Sequence, residues 1–422
     1  MNQVKKLTPL SLLVKKIVGG GTPERNNEKY WNGGIPWATV KDFQDGKHEI
    51  FSTQETISSD GLRFSASNLI DPLIPILCTR MAVGRIAIAN FHVAINQDVK
   101  ALYPKNDIHP KYFLYALDSV RSSLEVISTG STVNGIRLSD LLEIELFSPD
   151  YQEQEKIAEV LSTIDQAIAQ TEAIIAKQQR IKTGLMQDLL TKGIDEAGNV
   201  RSEETHEFKD SAIGRIPIEW EVKPCVAVCK DILVGIVIRP AQYYRPSGIP
   251  ILRSANVREN KINFSDLVYM SEKDNELLAK SRLYEGDLVT VRTGYPGTTA
   301  VVPSELNNSN CVDIVVSRPN LKLIRSHYLS LWINSDFGKK QVLEGQGGLA
   351  QQHFNVGEVR KLLVRVPSLE EQEKIENLLL FQDKRILEHQ RQLQKLQRQK
   401  NGLMQDLLTG KVRVTDLLEA PP

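Results

Sequence analysis

Glu153 to Thr191 of this chain reads EQEKIAEVLSTIDQAIAQTEAIIAKQQRIKTGLMQDLLT, and Glu371 to Thr409 reads EQEKIENLLLFQDKRILEHQRQLQKLQRQKNGLMQDLLT. The two stretches align without a gap at a constant displacement of 218 residues, and 20 of their 39 positions are identical. A long ungapped match within one chain indicates an internal duplication. We therefore expect a molecule built from two related halves.

Both copies have the apolar spacing of a long coiled-coil helix. Starting at Ile157 or Ile375, alternating steps of four and three residues meet an apolar residue at seven of ten positions in each copy. A stripe sustained over about five heptads predicts a coiled coil. The apolar seam positions are Ile157, Leu161, Ile164, Ile168, Ile175, Leu185 and Leu189 in the first copy and Ile375, Leu379, Ile386, Leu393, Leu396, Leu403 and Leu407 in the second.

Both copies also carry helix-end signals. A short oxygen-bearing residue precedes Glu153 and Glu371 by three positions, which is the capping-box pattern. Gly193 and Gly410 follow the stripes and suit a left-handed C-cap. At about 1.5 Å per residue, each helix is predicted to be roughly 57 Å long.

The simplest arrangement buries the two stripes on each other. Because the halves are joined head to tail, a pseudo-two-fold pair would run antiparallel, with one globular domain at each end. The alternative is that each stripe packs on its own neighbouring domain.

Two kinds of residue interrupt the seam pattern. Lys182 and Lys400 occupy equivalent seam positions, where they could fix the register or extend from the edge of the helix into water. Gly184 and Gly402 lie inside the helical pattern, where glycine costs about 1 kcal/mol relative to alanine. They indicate either close approach of a partner backbone or a helix break.

Composition limits the function classes. Lys plus Arg and Asp plus Glu both number 52, so the net charge is zero and a nucleic-acid surface would have to be local. Four scattered cysteines are too few for a disulfide framework and are expected to be free thiols. The N-terminus lacks the pattern of a signal peptide, and no apolar run approaches the roughly 20 residues of a membrane helix. We expect a cytoplasmic protein that does not contact a membrane.

The chain around the repeats predicts an α+β fold with two mixed domains of the same layout. Helical spacing at Lys111 to Ile127 and at His327 to Leu343 is followed in both domains by a polar, glycine-containing loop. The predicted divisions are domain 1 at 1–149, the first long helix at 150–192, an exposed linker at 193–211, domain 2 at 212–367, the second long helix at 368–410 and a tail at 411–422.

No catalytic signature is present in the sequence. Phosphate-binding Gly-Lys-Ser/Thr loops, His-Glu-x-x-His, Gly-x-Ser-x-Gly and the amino-methyltransferase loop are all missing. Gly345-x-Gly347-x-x-Ala350 loosely matches a dinucleotide fingerprint, but it follows a helix instead of a strand. We predict a chain that is not an enzyme and binds no cofactor or metal.

The domain loops instead combine aromatic residues with Arg, Lys, Gln, Asn, Ser and Thr. Such side chains suit base edges and phosphates, although solvated loops have a similar composition. The candidate DNA-binding residues are Thr22, Tyr30, Trp31, Lys41, Arg80, Ser131, Thr132, Asn134 and Arg137 in domain 1, and Arg239, Tyr243, Tyr244, Arg253, Arg292, Thr293, Tyr295, Gln346 and Gln351 in domain 2.

Several segments together resemble the specificity subunit of type I restriction-modification systems. They are GGTPERNNEKYWNGGIPW at Gly20 to Trp37, NQDVKALYP at Asn96 to Pro104, STGST at Ser128 to Thr132, FKDSAIGRIPIEW at Phe208 to Trp220, and both EQEKI and GLMQDLLT pairs. The resemblance covers nearly the whole chain. One departure is that the FKDSAIGRIPIEW segment has no clear copy before domain 1.

The resemblance implies two target recognition domains held apart by an antiparallel coiled coil, each reading half of a split, asymmetric site in double-stranded DNA. It implies two methyltransferase (M) subunits and, in the full complex, motor and nuclease (R) subunits as partners. S-adenosylmethionine, ATP and Mg are then expected on those partners, with methylation of a flipped adenine.

The predicted helix length agrees with that role. Roughly 57 Å exceeds one DNA turn of about 35 Å, so the helices could set the separation of the two half-sites. The rival interpretations are a coiled-coil scaffold whose domains bind proteins without DNA contact, and a stand-alone nuclease or methyltransferase, which the missing motifs disfavour.

Overall fold

The computed structural model describes residues 7–128, 135–345 and 354–415. The chain divides into two compact units, Met1–Ala173 with Gln390–Pro422, and Ile174–His389. Each unit therefore contains one globular domain, the N-terminal half of one long helix and the C-terminal half of the other.

Unit 1 has strands β1 (Leu7–Pro9), β2 (Val14–Gly19), β3 (Trp31–Ala38), β4 (Glu49–Ile50), β5 (Glu55–Ile57), β6 (Asn68–Ile70), β7 (Ile76–Cys78), β8 (Ile86–Ala89), β9 (Val93–Ile95), β10 (Val99–Pro104) and β11 (Glu145–Phe147). Its helices are α1 (Leu10–Leu13), α2 (Ser59–Arg63), α3 (Pro110–Ser119), α4 (Arg121–Ile127), α5 (Leu138–Glu143) and the first half of α6 (Tyr151–Leu189). The larger sheets have the strand orders β2-β10-β7-β8-β4 and β5-β3-β9-β6.

Unit 2 has strands β12 (Phe208–Lys209), β13 (Ile216–Pro217), β14 (Glu221–Pro224), β15 (Cys229–Val234), β16 (Ile249–Leu252), β17 (Val257–Arg258), β18 (Lys261–Ile262), β19 (Val268–Met270), β20 (Leu288–Val291), β21 (Thr299–Val301), β22 (Asn310–Cys311), β23 (Ile314–Pro319) and β24 (Leu363–Val366). Its helices are α7 (Cys225–Val228), α8 (Glu272–Leu277), α9 (Ser326–Asn334), α10 (Asp336–Gly345), α11 (Val356–Lys361) and the first half of α12 (Leu369–Leu407). The larger sheets have the orders β15-β23-β20-β21 and β19-β16-β22.

The two domains share a strand order, which the sequence analysis did not predict beyond a common layout. β15-β23-β20-β21 repeats the order of β2-β10-β7-β8, and β19-β16-β22 repeats that of β5-β3-β9. The pair β3 with β9 is parallel, as is β16 with β22. The chain is thus an α+β protein, as predicted, and each domain is built on one frame.

Glycines mark the same close approach in both frames. A Cβ on Gly20 would lie 1.9 Å from the carbonyl oxygen of Ile95, and one on Gly235 would lie 2.6 Å from that of Cys311. Ile95 and Cys311 end equivalent strands, so a larger side chain would push the strand away in either domain.

Each predicted domain helix is broken into two. The spacing at Lys111 to Ile127 predicts one helix, but α3 ends at Ser119 and α4 begins at Arg121. In unit 2, Ser335 separates α9 from α10 and donates its hydroxyl to the carbonyl of Trp332 at 2.6 Å. This hydroxyl competes with the backbone for the carbonyl, which the apolar period does not reveal.

The long helices α6 and α12 both contain 39 residues, and every predicted apolar seam position is buried or half-buried. In unit 1, Ile157 and Leu161 share a core with Leu407 and with the domain's Phe113. In unit 2, Ile375 and Leu379 likewise pack with Leu189 and Tyr328. Within each unit, residues of the predicted seam therefore share a core with residues of the other long helix and of the domain.

At the starts of the long helices, only half of the predicted capping box is present. Asp150 Oδ1 accepts from the Glu153 amide at 2.9 Å, and Ser368 Oγ accepts from the Glu371 amide at 3.2 Å. The glutamates do not return to the cap. They are held by arginines that follow the opposite long helix, a partner that local spacing cannot indicate.

In unit 2, the Glu371 carboxylate accepts from Arg201, from the Ile194 amide at 2.9 Å and from Trp220 Nε1 at 3.0 Å. In unit 1, Glu153 accepts from Arg413 Nε at 2.6 Å. Residues 193–211 are therefore only partly the exposed linker that the sequence predicts. Ile194 is buried, and Arg201 anchors the segment to α12.

The seam glycines and lysines behave differently from each other. Gly184 and Gly402 are helical and exposed, so a helix break is wrong. Among the described residues, no neighbouring atom lies within 4 Å of the position that a Cβ would take, so no close approach by another part of the described chain requires these glycines. The lysines form ion pairs: Lys400 Nζ lies 2.6 Å from Asp165 Oδ1, and Lys182 Nζ lies 2.6 Å from Asp383 Oδ1. Gly193 and Gly410 both have the predicted left-handed conformation, with φ of 65°. They stand four and three residues after the last helical residues, Leu189 and Leu407, and not at the C-cap itself.

Candidate nucleic-acid interface

An equivalent hairpin loop carries candidate residues in both domains. In unit 1 the loop joins β7 to β8, and the Gly84 amide donates to the Cys78 carbonyl at 3.0 Å. In unit 2 it joins β20 to β21, and the Gly297 amide donates to the Val291 carbonyl at 3.0 Å. A left-handed residue stands three positions before each of these glycines, Met81 and Gly294. The loops thus have one backbone design.

The side chains on the two loops differ completely. Unit 1 presents Arg80, which is exposed, and Met81, whose side chain is 64% exposed. Unit 2 presents Thr293 and Tyr295, and Tyr295 is 82% exposed. An exposed tyrosine offers a flat face for stacking, whereas an arginine offers paired donors for a guanine edge or a phosphate.

A second segment returns beside each hairpin loop. In unit 1, the Ile136 amide donates to the Thr79 carbonyl at 2.9 Å, and Gly135 forms a bridge with Arg80. In unit 2, the Phe354 amide donates to the Arg292 carbonyl at 3.1 Å. These residues directly follow the polar loops of the sequence. The candidates within those loops, Ser131, Thr132, Asn134, Gln346 and Gln351, lie outside the described residues, as does most of the loose dinucleotide fingerprint.

Arg292 and Arg253 have structural partners. Arg292 pairs with Asp313, the residue before β23, and its side chain is 17% exposed. Arg253 Nη2 donates to the Asp266 carbonyl at 2.5 Å. Both guanidinium groups therefore hold neighbouring loop residues in place.

The remaining unit 2 candidates form a mixed group. Tyr243 and Tyr244 are half-buried against a small core around Ile251 and Met270. Arg239 is exposed, and its φ of 44° places it in the left-handed region, which is uncommon for a side chain larger than glycine. Sequence reasoning missed Arg258, which is exposed and lines a groove of about 640 Å³ together with Thr293 and Tyr295.

An aromatic cluster in unit 1 contains two further candidates. The ring centroids of Trp31 and Trp37 are 5.2 Å apart and nearly perpendicular, and Tyr30 stacks on Phe64. The Arg25 guanidinium lies 4.0 Å from the Trp31 ring centroid.

Arg25 also forms a two-pronged ion pair with Glu55, whose pKa this hydrogen-bonded arginine lowers below the ordinary value despite partial burial. The pair is exposed, so Arg25 can exchange Glu55 for a phosphate. It was not among the sequence candidates, although it lies in the same polar stretch as Tyr30 and Trp31. Thr22 is held by Gln97 at 2.7 Å, while Lys41 and Arg137 are exposed.

Other kinds of site receive no support from the described residues. No group of three or more His, Cys, Asp or Glu in these ranges could hold a metal ion. The four cysteines are free thiols. Within the same ranges, no helix is long and apolar enough to cross a membrane.

The fold and the order of its segments match one protein family. The family model described as type I restriction modification DNA specificity domain matches residues 13–179. The MjaIX type I restriction enzyme specificity subunit of Methanocaldococcus jannaschii is 26% identical over 98% of this chain and 94% of its own length. Residues 13–179 thus match a type I restriction modification DNA specificity domain, and the chain is similar to a type I specificity subunit over nearly its whole length.

Two further proteins are similar to this chain, one in part of its sequence and one in its fold. The EcoR124I/EcoR124II specificity subunit of Escherichia coli is 30% identical over 36% of this chain and 39% of its own length. The crystal structure of the type I restriction-modification S subunit from M. genitalium covers 97% of both chains with a TM-score of 0.59 and 15% identity. At that identity the structural likeness shows the fold alone.

Proposed function

We propose that this chain is the DNA-specificity subunit of a type I restriction-modification complex, in which each domain reads one half of a split, asymmetric site. The observation that carries the proposal is the pair of hairpin loops with one backbone design and unlike side chains. A shared frame positions both readers in the same way, whereas different residues at the tips select different bases.

The individual contacts follow from the chemistry of the tips. Tyr295 and Arg258 line one groove in unit 2, where the ring can stack and the guanidinium can bind a base edge or a phosphate. Arg80 and Arg25 are exposed cations of unit 1 that can bind phosphate or a base edge. Because the net charge of the chain is zero, we expect the isolated chain to bind DNA weakly and with strong salt dependence.

The long helices are proposed to pair as an antiparallel coiled coil that sets the distance between the half-sites. Two features of their sequence support this role. Two polar contacts would fix the register of the helices. The side chains of Gln178 and Gln382 form a hydrogen bond of 2.6 Å, and Lys182 forms an ion pair with Asp383. The seam is apolar on either side of them.

The two identical GLMQDLLT segments are proposed to dock two copies of a methyltransferase subunit. Gly184 and Gly402 are identical, exposed and without any neighbour in the described chain that needs a glycine. A helical glycine costs about 1 kcal/mol, so its presence in both copies indicates approach of a partner backbone. Two equivalent surfaces suit two copies of one partner.

Catalysis is assigned to the partners. The methyltransferase subunits would bind S-adenosylmethionine and act on a flipped adenine, and motor and nuclease subunits would use ATP and Mg. This chain would then supply no catalytic group and bind no cofactor. The rival is a scaffold whose two domains bind proteins without DNA contact, and the exposed arginines and tyrosine of the loops favour the DNA reader.

The decisive experiment is sequencing with base-modification detection on DNA from cells that carry the partner methyltransferase, with and without this chain. We expect one split adenine-methylated motif that appears only when the chain is present. If an active partner and well-expressed chain produce no chain-dependent motif, the scaffold interpretation replaces the DNA-reading one.

A further inference from the structure

His48 is a buried histidine with a carboxylate at each ring nitrogen. It lies immediately before β4, and its side chain is 6% exposed. Nε2 is 3.0 Å from Asp118 Oδ2 on α3, and Nδ1 is 3.2 Å from Asp165 Oδ2 on α6. A neutral imidazole carries one N–H and can donate to only one of these carboxylates. Two donated hydrogen bonds require the imidazolium.

Asp165 is the centre of a larger network. It accepts from Tyr115 Oη at 2.8 Å and from Lys400 Nζ on α12 at 2.6 Å, in addition to His48. With Asp118, the cluster contains two carboxylates and two cations, so its charges balance only when His48 is protonated. The network joins the β4 loop, α3, α6 and α12 within unit 1.

The surrounding groups favour that proton. Burial lowers the pKa of His48, and the positive charge of Lys400 lowers it further. The hydrogen bonds to Asp118 and Asp165 outweigh both effects, so the pKa is raised above the ordinary value of 6.5. Burial would likewise raise the pKa of Asp165, yet the hydrogen bonds from His48 and Lys400 lower it. The proton therefore belongs to the imidazole.

Other charged groups near the ring have their own partners or lie farther away. Lys47 pairs with Glu172 on α6. Glu49 follows His48 in the chain, and its side chain is exposed. The Tyr115 ring meets the imidazole edge to face at 5.1 Å.

Unit 2 has the ion pair without the histidine. Asp383 and Lys182 stand 218 positions from Asp165 and Lys400 and form the equivalent pair at 2.6 Å. Among the described residues, Asp383 has no hydrogen-bond partner from the domain of unit 2. At the position on α9 that corresponds to Asp118, Asn334 donates to the Thr299 carbonyl at 2.7 Å. Among the described residues, no histidine hydrogen-bonds to the Lys182–Asp383 pair of unit 2.

We infer that His48 is a proton-dependent positioning residue, which fastens the domain of unit 1 to the long helices while its imidazole is doubly protonated. Because the folded state holds the proton more tightly than the unfolded chain, the added stability is fully present below the ordinary histidine pKa. It is lost as the pH rises through the higher pKa of the folded state.

The functional consequence rests on the proposed function. If the domain of unit 1 reads one half-site, recognition of that half should weaken as the pH rises, while the half read by unit 2 should not change. One side of the DNA site would then be pH-sensitive and the other would not.

The test begins with the full chain and needs no DNA. Amide hydrogen exchange of residues 44–50 and of Ile88, whose amide donates to the His48 carbonyl, is compared at pH 6 and pH 9 after correction for intrinsic rates. For each unit by which the pKa is raised, we expect roughly tenfold faster opening at the higher pH. His48→Gln should remove the difference, whereas His92→Gln, at an exposed histidine of the same unit, should retain it.

A second variant tests the inference even if His48→Gln does not fold. Asp118→Asn preserves the shape but removes one negative charge, so the titration midpoint of His48, followed by imidazole NMR, should fall. Equal exchange at both pH values in the wild type, or an unchanged His48 midpoint in Asp118→Asn, overturns the inference.

The last arm separates the inference from the proposed function. Methylation by the complex with its partner is measured at pH 6 and pH 9 on DNA carrying base changes in either half-site. Two results together support the full inference. The wild-type complex loses discrimination against base changes at pH 9 in one half-site only, and the His48→Gln complex lacks discrimination at that half-site at both pH values. Discrimination at both halves that is identical at the two pH values overturns the functional part, and absence of any discrimination overturns the proposed function while the exchange result stands.

Discussion

Replacing Glu371 by alanine should destabilise unit 2 more than any other single change at its long-helix ends. The carboxylate accepts from the Arg201 guanidinium, the Ile194 amide and the Trp220 indole, and the ion-paired side chains are only 11% and 10% exposed. Removing one partner of a buried pair leaves an uncompensated charge and costs about 3–5 kcal/mol.

Glu153→Ala is the matched comparison in unit 1. Its partner, Arg413, is 33% exposed, against 11% for Arg201. Arg413 can therefore recover much of its hydration when the carboxylate is removed, and we expect a smaller loss of about 1–3 kcal/mol. Glu370→Ala is the control, because that glutamate is 79% exposed and pairs only with Lys374 one turn away.

Native-state hydrogen exchange suits this comparison because it resolves the units, whereas a chain of this size does not unfold in a single transition. Amides at the start of α12 should exchange between about a hundredfold and several thousandfold faster in Glu371→Ala. Those at the start of α6 should respond less to Glu153→Ala, and Glu370→Ala should match the wild type. The reasoning is refuted if Glu371→Ala changes exchange by less than tenfold or if Glu153→Ala has the larger effect.

Three further predictions test the surface and the seam. Gly184→Ala and Gly402→Ala should each stabilise the free chain by about 0.5–1 kcal/mol in thermal unfolding, while weakening assembly with the methyltransferase measured by titration. Tyr295→Ala should leave thermal stability unchanged but reduce methylation of the cognate motif at least tenfold, with loss confined to one half-site. Deleting one heptad from both long helices, 167–173 with 385–391, should shorten the unspecified gap in the methylated motif; an unchanged gap would show that the helices do not set it.

Sequence reasoning succeeded where a signal is local or repeated. The apolar period selected helix positions that are all buried or half-buried, since a side chain's place on a helix depends only on its spacing. Gly193 and Gly410 were recognised as left-handed residues after the long helices because glycine adopts a positive φ without strain. The family resemblance depended on several short segments in a fixed order.

The unrecognised contacts join residues far apart in the chain. Glu371 and Arg201 are separated by 170 residues, and no spacing rule brings them together. Arg258 and Tyr295 line one groove only because β17 and the β20–β21 hairpin are neighbours in the fold. The sequence also did not reveal the strand order that the two domains share. That order is maintained by buried apolar residues and a few glycines, and many different sequences can provide these.

The long-helix ends show why duplicated sequence can hold dissimilar domains. The glutamate of each EQEKI segment is identical in the two copies, yet its partner arginine lies in a segment that the duplication does not repeat exactly: Arg201 stands 8 residues after Gly193, and Arg413 stands 3 residues after Gly410. In both copies, the buried glutamate at the start of one long helix binds the guanidinium of an arginine that follows the other long helix. The arginine need only reach the glutamate in space and can stand at different sequence positions. The connecting segments and the domain surfaces could therefore diverge. The exposed hairpin loops of the two domains can therefore differ without disturbing the helix ends that hold each unit together.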